Sequence, residues 1–294
     1  MKRLALVGVD IIHKFIYPGF INGFDRQAME RDGEWMADLF RGQPSTSLND
    51  EVRVVAIASP DRETARRIAG ATHIDTVVDR IDDLPGDLDG ALVMERQGSR
   101  HLELAQRFLE AGQYVFFDKP VVESRREWDT IKAMARRSGS RVFGGSALRY
   151  SPQVARVRTA LAERPAVSLV VTGPGPWYEY ACHTVELLEL FHGPAVQGVV
   201  GVGENRAGVA VIRWVGGAEG TVQWGNYRGE FRIDAYDRED TGHRAWIIND
   251  ARAYYQGLAQ AMVDGVLGKL DPDWEAIDAV VGVLDDVGRS LSLT

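Results

Sequence analysis

The feature that most constrains this chain is a change of grammar near Ala147. Before it, short apolar runs rich in β-branched residues alternate with longer segments whose apolar residues recur every three or four positions. The strand candidates are Leu4 to Val9, Val52 to Ala58, Gly90 to Met94, Tyr114 to Phe117 and Arg141 to Gly144. Helices are predicted over Asp61 to Gly70, Ser99 to Ala111 and Ser124 to Ser138, and Gly112 sits where a helix-stopping glycine belongs. Such alternation builds βαβ units and a parallel sheet, whose ligands lie at the carboxyl ends of the strands.

After Ala147 the strand candidates follow one another directly: Val167 to Thr172, Val196 to Val202, Gly208 to Val215, Gly220 to Trp224 and Glu230 to Tyr236, with a turn at Gly216-Gly217. Helices are expected at Ala181 to Phe191, Ala251 to Leu267 and Trp274 to Leu291. The fold class is therefore α/β: a Rossmann-like doubly wound parallel sheet over 1–147, then an α+β domain with an open, mainly antiparallel sheet over 148–294. The C-terminal helix is a candidate to return to the first domain. Pro18 to Asp50 is the only long stretch with an irregular pattern.

Charge and cysteine usage narrow the function. Forty-two acidic against 34 basic residues, a net charge of -8, and no basic run leave no electrostatic footprint for nucleic acid or an anionic membrane. No segment approaches the roughly 20 apolar residues of a membrane span, and the single cysteine, Cys182, fits a reducing compartment. A cytoplasmic protein is expected.

In a dinucleotide-binding fold the first strand runs into Gly-x-Gly-x-x-Gly, because the pyrophosphate lies against backbone N–H groups that a Cβ would block. Here the stretch is Gly8-Val9-Asp10-Ile11-Ile12-His13, with only the first glycine kept. Asp10 adds a negative charge where a pyrophosphate would lie, and His13 thickens the strand-to-helix packing; on these residues alone a strand leaving a sheet that binds no nucleotide is the favoured reading. The second strand ends in Ser59-Pro60-Asp61-Arg62. A neutral Ser59 followed by Arg62 suits a 2′-phosphate, and the same residues suit a helix cap.

Three further stretches carry a resemblance: Phe116-Phe117-Asp118-Lys119-Pro120 at a strand end, Gly144-Gly145-Ser146-Ala147-Leu148-Arg149-Tyr150-Ser151-Pro152, and Glu179-Tyr180-Ala181-Cys182-His183-Thr184-Val185-Glu186 opening a helix. In order and spacing over nearly the whole chain, the sequence resembles the Gfo/Idh/MocA oxidoreductases, and within them a branch that shares Tyr17-Pro18-Gly19-Phe20-Ile21-Asn22-Gly23. The family's Glu-Lys-Pro falls on Asp118-Lys119-Pro120 and its Asp-x-x-x-His on Glu179 and His183. The resemblance implies a Rossmann domain and a substrate domain, hydride exchange between a sugar, polyol or related hydroxy-substrate and NAD(P), a site at the domain interface, and homodimers or homotetramers through the open sheet. Where the family has Ala-Thr-Pro after the third strand, this chain has Met94-Glu95-Arg96.

The residues expected to act follow from this. Lys119, Glu179 and His183 are the catalytic candidates: a neutral imidazole takes a hydroxyl proton as hydride leaves, Lys119 polarises the same oxygen, and an acid one helical turn away fixes the tautomer. A solvated lysine and a satisfied core histidine are the plain alternatives. Gly8, Asp10, His13, Ser59, Arg62, Glu95, Arg96 and Asp118 are placed toward the cofactor, NADP or NAD with NADP preferred. Arg149, Tyr150, Trp177 and Glu186 are placed toward the substrate, with an interface salt bridge at Arg149 and Tyr150 and a loop-closing aromatic at Trp177 as alternatives. His183 and its flanking glutamates are legitimate metal ligands, but nothing else in the sequence calls for a metal. Competing functions are a cofactor-free sugar-binding or regulatory protein, and a proton-transfer enzyme of the isomerase or lyase kind.

Overall fold

The computed structural model describes residues 1–225, 229–237 and 242–292, with the Glu34 side chain left aside. Two compact units emerge, the first comprising Met1–Asp118, Asp129–Gly144 and Tyr255–Pro272, the second Lys119–Trp128, Gly145–Tyr254 and Asp273–Thr294.

The first unit is built on β1 (Lys2–Val7), β2 (Val52–Ala58), β3 (Thr76–Val78), β4 (Gly90–Val93), β5 (Tyr114–Phe117) and β6 (Val142–Gly144). All five pairings are parallel and the order is β3-β2-β1-β4-β5-β6, the doubly wound arrangement of dinucleotide-binding domains. β4 and β5 are buried at every position, which is why they read as unbroken apolar runs. β3, three residues long, escaped the sequence pattern.

The helices are α1 (His13–Asn22), α2 (Arg26–Asp32), α3 (Ala37–Phe40), α4 (Arg62–Thr72), α5 (His101–Glu110) and α6 (Arg125–Ser138). The stretch after Pro18 is thus more regular than the sequence suggested. Pro18 sits inside α1, where proline ordinarily breaks a helix, but Phe15, Ile16, Tyr17, Phe20 and Ile21 bury one continuous apolar surface around it. Asn22 ends the helix with its amide donating to Val54 O and Thr72 O and accepting from Val54 N. Those bonds fasten α1 to β2 and account for the Asn of the Tyr-Pro-x-x-x-Asn-Gly stretch.

The second unit carries β7 (Ser168–Thr172), β8 (Val196–Glu204), β9 (Ala207–Trp214), β10 (Glu219–Trp224), β11 (Phe231–Tyr236) and β12 (His243–Ile248), ordered β12-β11-β7-β10-β9-β8. Only β7 and β10 pair in parallel. With them go α7 (Pro152–Glu163), α8 (Cys182–His192), α9 (Ala251–Val266) and α10 (Trp274–Ser290), α9 from Tyr255 onward counting with the first unit. One face of the sheet buries Val171, Ile212, Val222 and Ile233 against Val185 and Leu188 of α8 and Leu284 and Val287 of α10. The other is open: Val200 and Val202 are each 72% exposed, Val209 40% and Val211 36%. Among the described residues no helix is long and apolar enough to cross a membrane.

Candidate functional site

In the first unit the cofactor candidates gather at the carboxyl ends of β1, β2, β4 and β5. Gly8 turns the chain out of β1 at φ +79°, and a Cβ there would come within 3.0 Å of Met94 O, so the surviving glycine serves a close approach of two backbones. His13 does not stand over the turn. It is buried, its Nδ1–H donating to Asp118 Oδ2 at 2.7 Å and its Nε2 meeting the Tyr255 hydroxyl at 3.0 Å. Asp118 is fully buried, and its Oδ1 has no hydrogen-bond partner among the described residues. Asp10 is exposed, with Arg96 Nε 3.8 Å from its carboxylate and an Arg96 guanidinium N–H donating to its carbonyl.

Glu95 turns inward instead of toward the turn. It is buried, paired with Arg100 at 3.1 Å and accepting from Arg96 N, while its carbonyl meets His101 Nε2. Ser59 is buried, its hydroxyl accepting from Asp61 N, and Asp61 caps α4 by accepting from Thr64 N. Hydrogen bonds from Thr64 hold the Asp61 carboxyl below its ordinary value. Arg62 pairs with Asp79 at 3.1 Å, both half exposed. The cap role of Ser59 and Asp61 is therefore realised, and the cation expected to favour a 2′-phosphate already faces a carboxylate.

This end of the first unit fits a dinucleotide in outline. The turn keeps its glycine, the bulky His13 is withdrawn, and α1 follows Ile12 with no side-chain cap, Lys14 N–H donating to Ile11 O. The departure is Asp10, partly offset by Arg96.

The second unit holds the other cluster. Lys119 is buried to 8% exposure; its Nζ donates to Glu179 O at 2.9 Å and lies 5.2 Å from the centroid of the Tyr180 ring. Tyr180 in turn neighbours the His183 ring, centroids 6.3 Å apart. Lys119 and His183 thus both neighbour one aromatic side chain. Glu179 belongs to a π-helical turn, Trp177–Ala181, that precedes α8, so the one-turn helical spacing expected between Glu179 and His183 is not kept. What Glu179 gives Lys119 is its carbonyl.

The His183 Nδ1 partner is Ser146 Oγ, at 2.6 Å. Glu186, the other acid expected beside the imidazole, is taken up elsewhere: Oε2 accepts from Ser146 N at 2.7 Å and Oε1 from Arg149 Nε at 2.8 Å. Gly145, at φ +120°, makes room for this carboxylate, since a Cβ there would lie 2.9 Å from Glu186 Oε2. Arg149 also bonds Glu189 at 2.5 Å. Two buried carboxylates share one guanidinium, and burial pushes both carboxyls above their ordinary range.

The substrate candidates are correspondingly revised. Arg149 and Glu186 satisfy one another within the second unit, a salt bridge but not the interface one expected. Tyr150 is half-buried, and burial pushes its hydroxyl up to about 12. Trp177 is wholly buried, its indole N–H donating to Leu284 O and its ring packed on Trp224; stacking on a sugar is corrected to a core role. Sequence reasoning missed Ser146, Tyr180 and Tyr255. Tyr180 and Ser146 stood inside the motifs already singled out, whereas Tyr255, 242 residues from His13, left no local signal. Among the described residues no group of His, Cys, Asp and Glu side chains is arranged to hold a metal.

The first unit has the strand order of a dinucleotide-binding sheet, and the second carries Lys119 and His183. Residues 33–146 match the sequence model of the Gfo/Idh/MocA oxidoreductase family, NAD-binding Rossmann fold. A protein described as a UDP-kanosamine synthase oxidoreductase subunit from Amycolatopsis mediterranei (strain S699) is 29% identical over 171 residues, 51% of this chain and 45% of that protein. The chain thus spans less than half the length of this relative. The fold is also that of GenD2 from gentamicin A biosynthesis, solved with NAD, at 17% identity and TM-score 0.74, covering 99% of this chain and 94% of that one. The scyllo-inositol dehydrogenase of Lactobacillus casei, solved with NAD(H) and scyllo-inositol, superposes at TM-score 0.74 and 12% identity, covering 97% and 95%.

Proposed function

We propose that this protein is an NAD(P)-dependent oxidoreductase acting on a small hydroxylated substrate, a sugar, polyol or derivative. The observation that carries the reading is that the Lys119 ammonium and the His183 imidazole both neighbour the Tyr180 ring, 5.2 Å and 6.3 Å from its centroid. Hydride exchange with a substrate carbon is the chemistry that a bound nicotinamide would supply. Lys119 and His183 hold the oxygen on that carbon, the ammonium and a ring nitrogen each bonding it, and one of the two exchanges its proton. The turn after β1 and Arg96 would hold the pyrophosphate. Ser59 and Arg62 support NADP(H); the Arg62–Asp79 ion pair opposes that preference.

Asp10, exposed at the turn, favours the second reading, a cofactor-free relative that keeps the fold. A homodimer through the open valine-bearing sheet face and a cytoplasmic location complete the proposal, the first supported by the exposure of Val200 and Val202 and the second by the single buried Cys182.

The test is titration with NADH and NADPH read by energy transfer from tryptophan, followed by assays of Lys119→Ala and His183→Ala on sugars and polyols. Loss of a general acid or base typically lowers turnover by on the order of a hundredfold to ten-thousandfold. Both variants are expected to bind nucleotide and lose turnover together. No binding of either nucleotide by the wild type would overturn the reading in favour of the cofactor-free one.

A further inference from the structure

The hydroxyl of Ser146 makes two bonds, and their directions are not interchangeable. Leu148 N–H donates to Ser146 Oγ at 3.1 Å, which uses the oxygen as an acceptor and caps the short turn Ala147–Tyr150. The second bond joins the same oxygen to His183 Nδ1 at 2.6 Å. Glu186, the nearby carboxylate, is met by the Ser146 amide and not by the hydroxyl. Among the described residues, Nδ1 is the one partner of Ser146 Oγ that can take its hydroxyl hydrogen. Ser146 is 1% exposed, so an unused donor there would be costly.

We propose that Ser146 is a positioning residue that holds neutral His183 as the Nε2–H tautomer by donating its hydroxyl hydrogen to Nδ1. A neutral imidazole has one donor and one acceptor nitrogen, and the bond at one fixes the role of the other. With Nδ1 committed as acceptor, His183 carries its proton on Nε2 and meets a ligand as a donor. The ligand atom that suits such a nitrogen is an oxygen acceptor, a carbonyl before an alcohol. The assignment deepens the oxidoreductase reading and rests on it for the substrate class: the resting site is set for the keto form, and the proton exchanged on the substrate oxygen falls to Lys119. Glu186 contributes indirectly, since its bonds to the Ser146 amide and Arg149 fix the main chain from which the hydroxyl projects.

The experiment needs neither nucleotide nor substrate, so its failure and that of the oxidoreductase reading are separable. Protein labelled with 15N-histidine is examined by long-range 1H–15N correlation at a pH where the ring is neutral, with His183→Gln used for assignment. Wild type is expected to show a pyridine-like Nδ1 and a pyrrole-like Nε2, without averaging. Ser146→Ala, which keeps the amide bond to Glu186, is expected to show both nitrogens averaged between tautomers, and Ser146→Thr to restore the wild-type pattern. A loop role alone would move stability and leave the tautomer unchanged. A pyrrole-like Nδ1 in the wild type overturns the proposal whether or not the variants fold, and so does an unaltered spectrum in folded Ser146→Ala.

Discussion

His13 Nδ1 lies 2.7 Å from Asp118 Oδ2, a bond withdrawn from solvent that ties the first residue of α1 to the end of β5 across 105 positions of sequence. In the glycine motif of a dinucleotide fold this position carries no side chain. Here a ring fills the space and an aspartate meets it.

The bond should therefore show up as coupling. His13→Ala leaves a buried carboxylate without its donor, a loss of about 3 kcal/mol by the measure of broken buried pairs. Asp118→Asn in the His13→Ala background is expected to cost much less than in the wild type, because the partner has already gone. Denaturant melts of the four proteins give the cycle; additive losses would show that the contact carries no coupling.

A second expectation concerns Asp10, whose charge stands at the turn after β1 with Arg96 beside it. A carboxylate about 4 Å from a phosphate costs on the order of 1 kcal/mol even in water-like surroundings. Asp10→Gly should tighten NADH binding by roughly fivefold at low salt, with the gain shrinking as salt is added; Arg96→Ala should weaken it. Calorimetric titration at two ionic strengths decides, and an unchanged affinity for both variants would remove the pyrophosphate from this turn.

The course of the fold could be read from sequence wherever burial was two-sided or the helix period unbroken. β2 and β5 are found at their expected bounds because both faces of these strands are covered. α1 hid behind Pro18 and Gly19, whose local preferences are overruled by the apolar packing of its neighbours. β12, His243–Ile248, hid because its exposed face carries His243, Ala245 and Ile247 without clean alternation. Lys119 and His183 were legible as parts of motifs. Their supports were not: the partner of His183 is 37 residues away, and nothing in a local window tells a serine that caps a turn from one that also holds an imidazole.

Acid should act on the open sheet through Asp234. Hydrogen bonds from Arg232 first, and from His243, hold its carboxyl below the ordinary value. A depressed carboxyl contributes stability that is present above its unfolded pKa, near 3.9, and lost as pH falls through the folded value. Asp234→Asn is expected to cost about 0.5–1 kcal/mol at pH 7, since Arg232 is half exposed, and nearly nothing in strong acid. A pH-independent difference between variant and wild type would count against the assignment.

The opposite sign is expected where Glu186 and Glu189 share Arg149. Arg149 Nε serves Glu186 and a terminal N–H serves Glu189, an arrangement that uses the guanidinium fork and that a lysine cannot reproduce. Arg149→Met strands two buried carboxyls and should cost about 3–5 kcal/mol, with Arg149→Lys recovering little of it. Because burial raises both carboxyls, the stability tied to their protonated form is complete below the unfolded glutamate value of about 4.3 and declines as pH rises through the raised values. Glu189→Gln imitates that protonated form while keeping an oxygen for Arg149. Relative to wild type it should become steadily more favourable from pH 4 to pH 8, measured as the difference in denaturation free energy. A difference that moves the other way would show that the single guanidinium outweighs the burial of both acids.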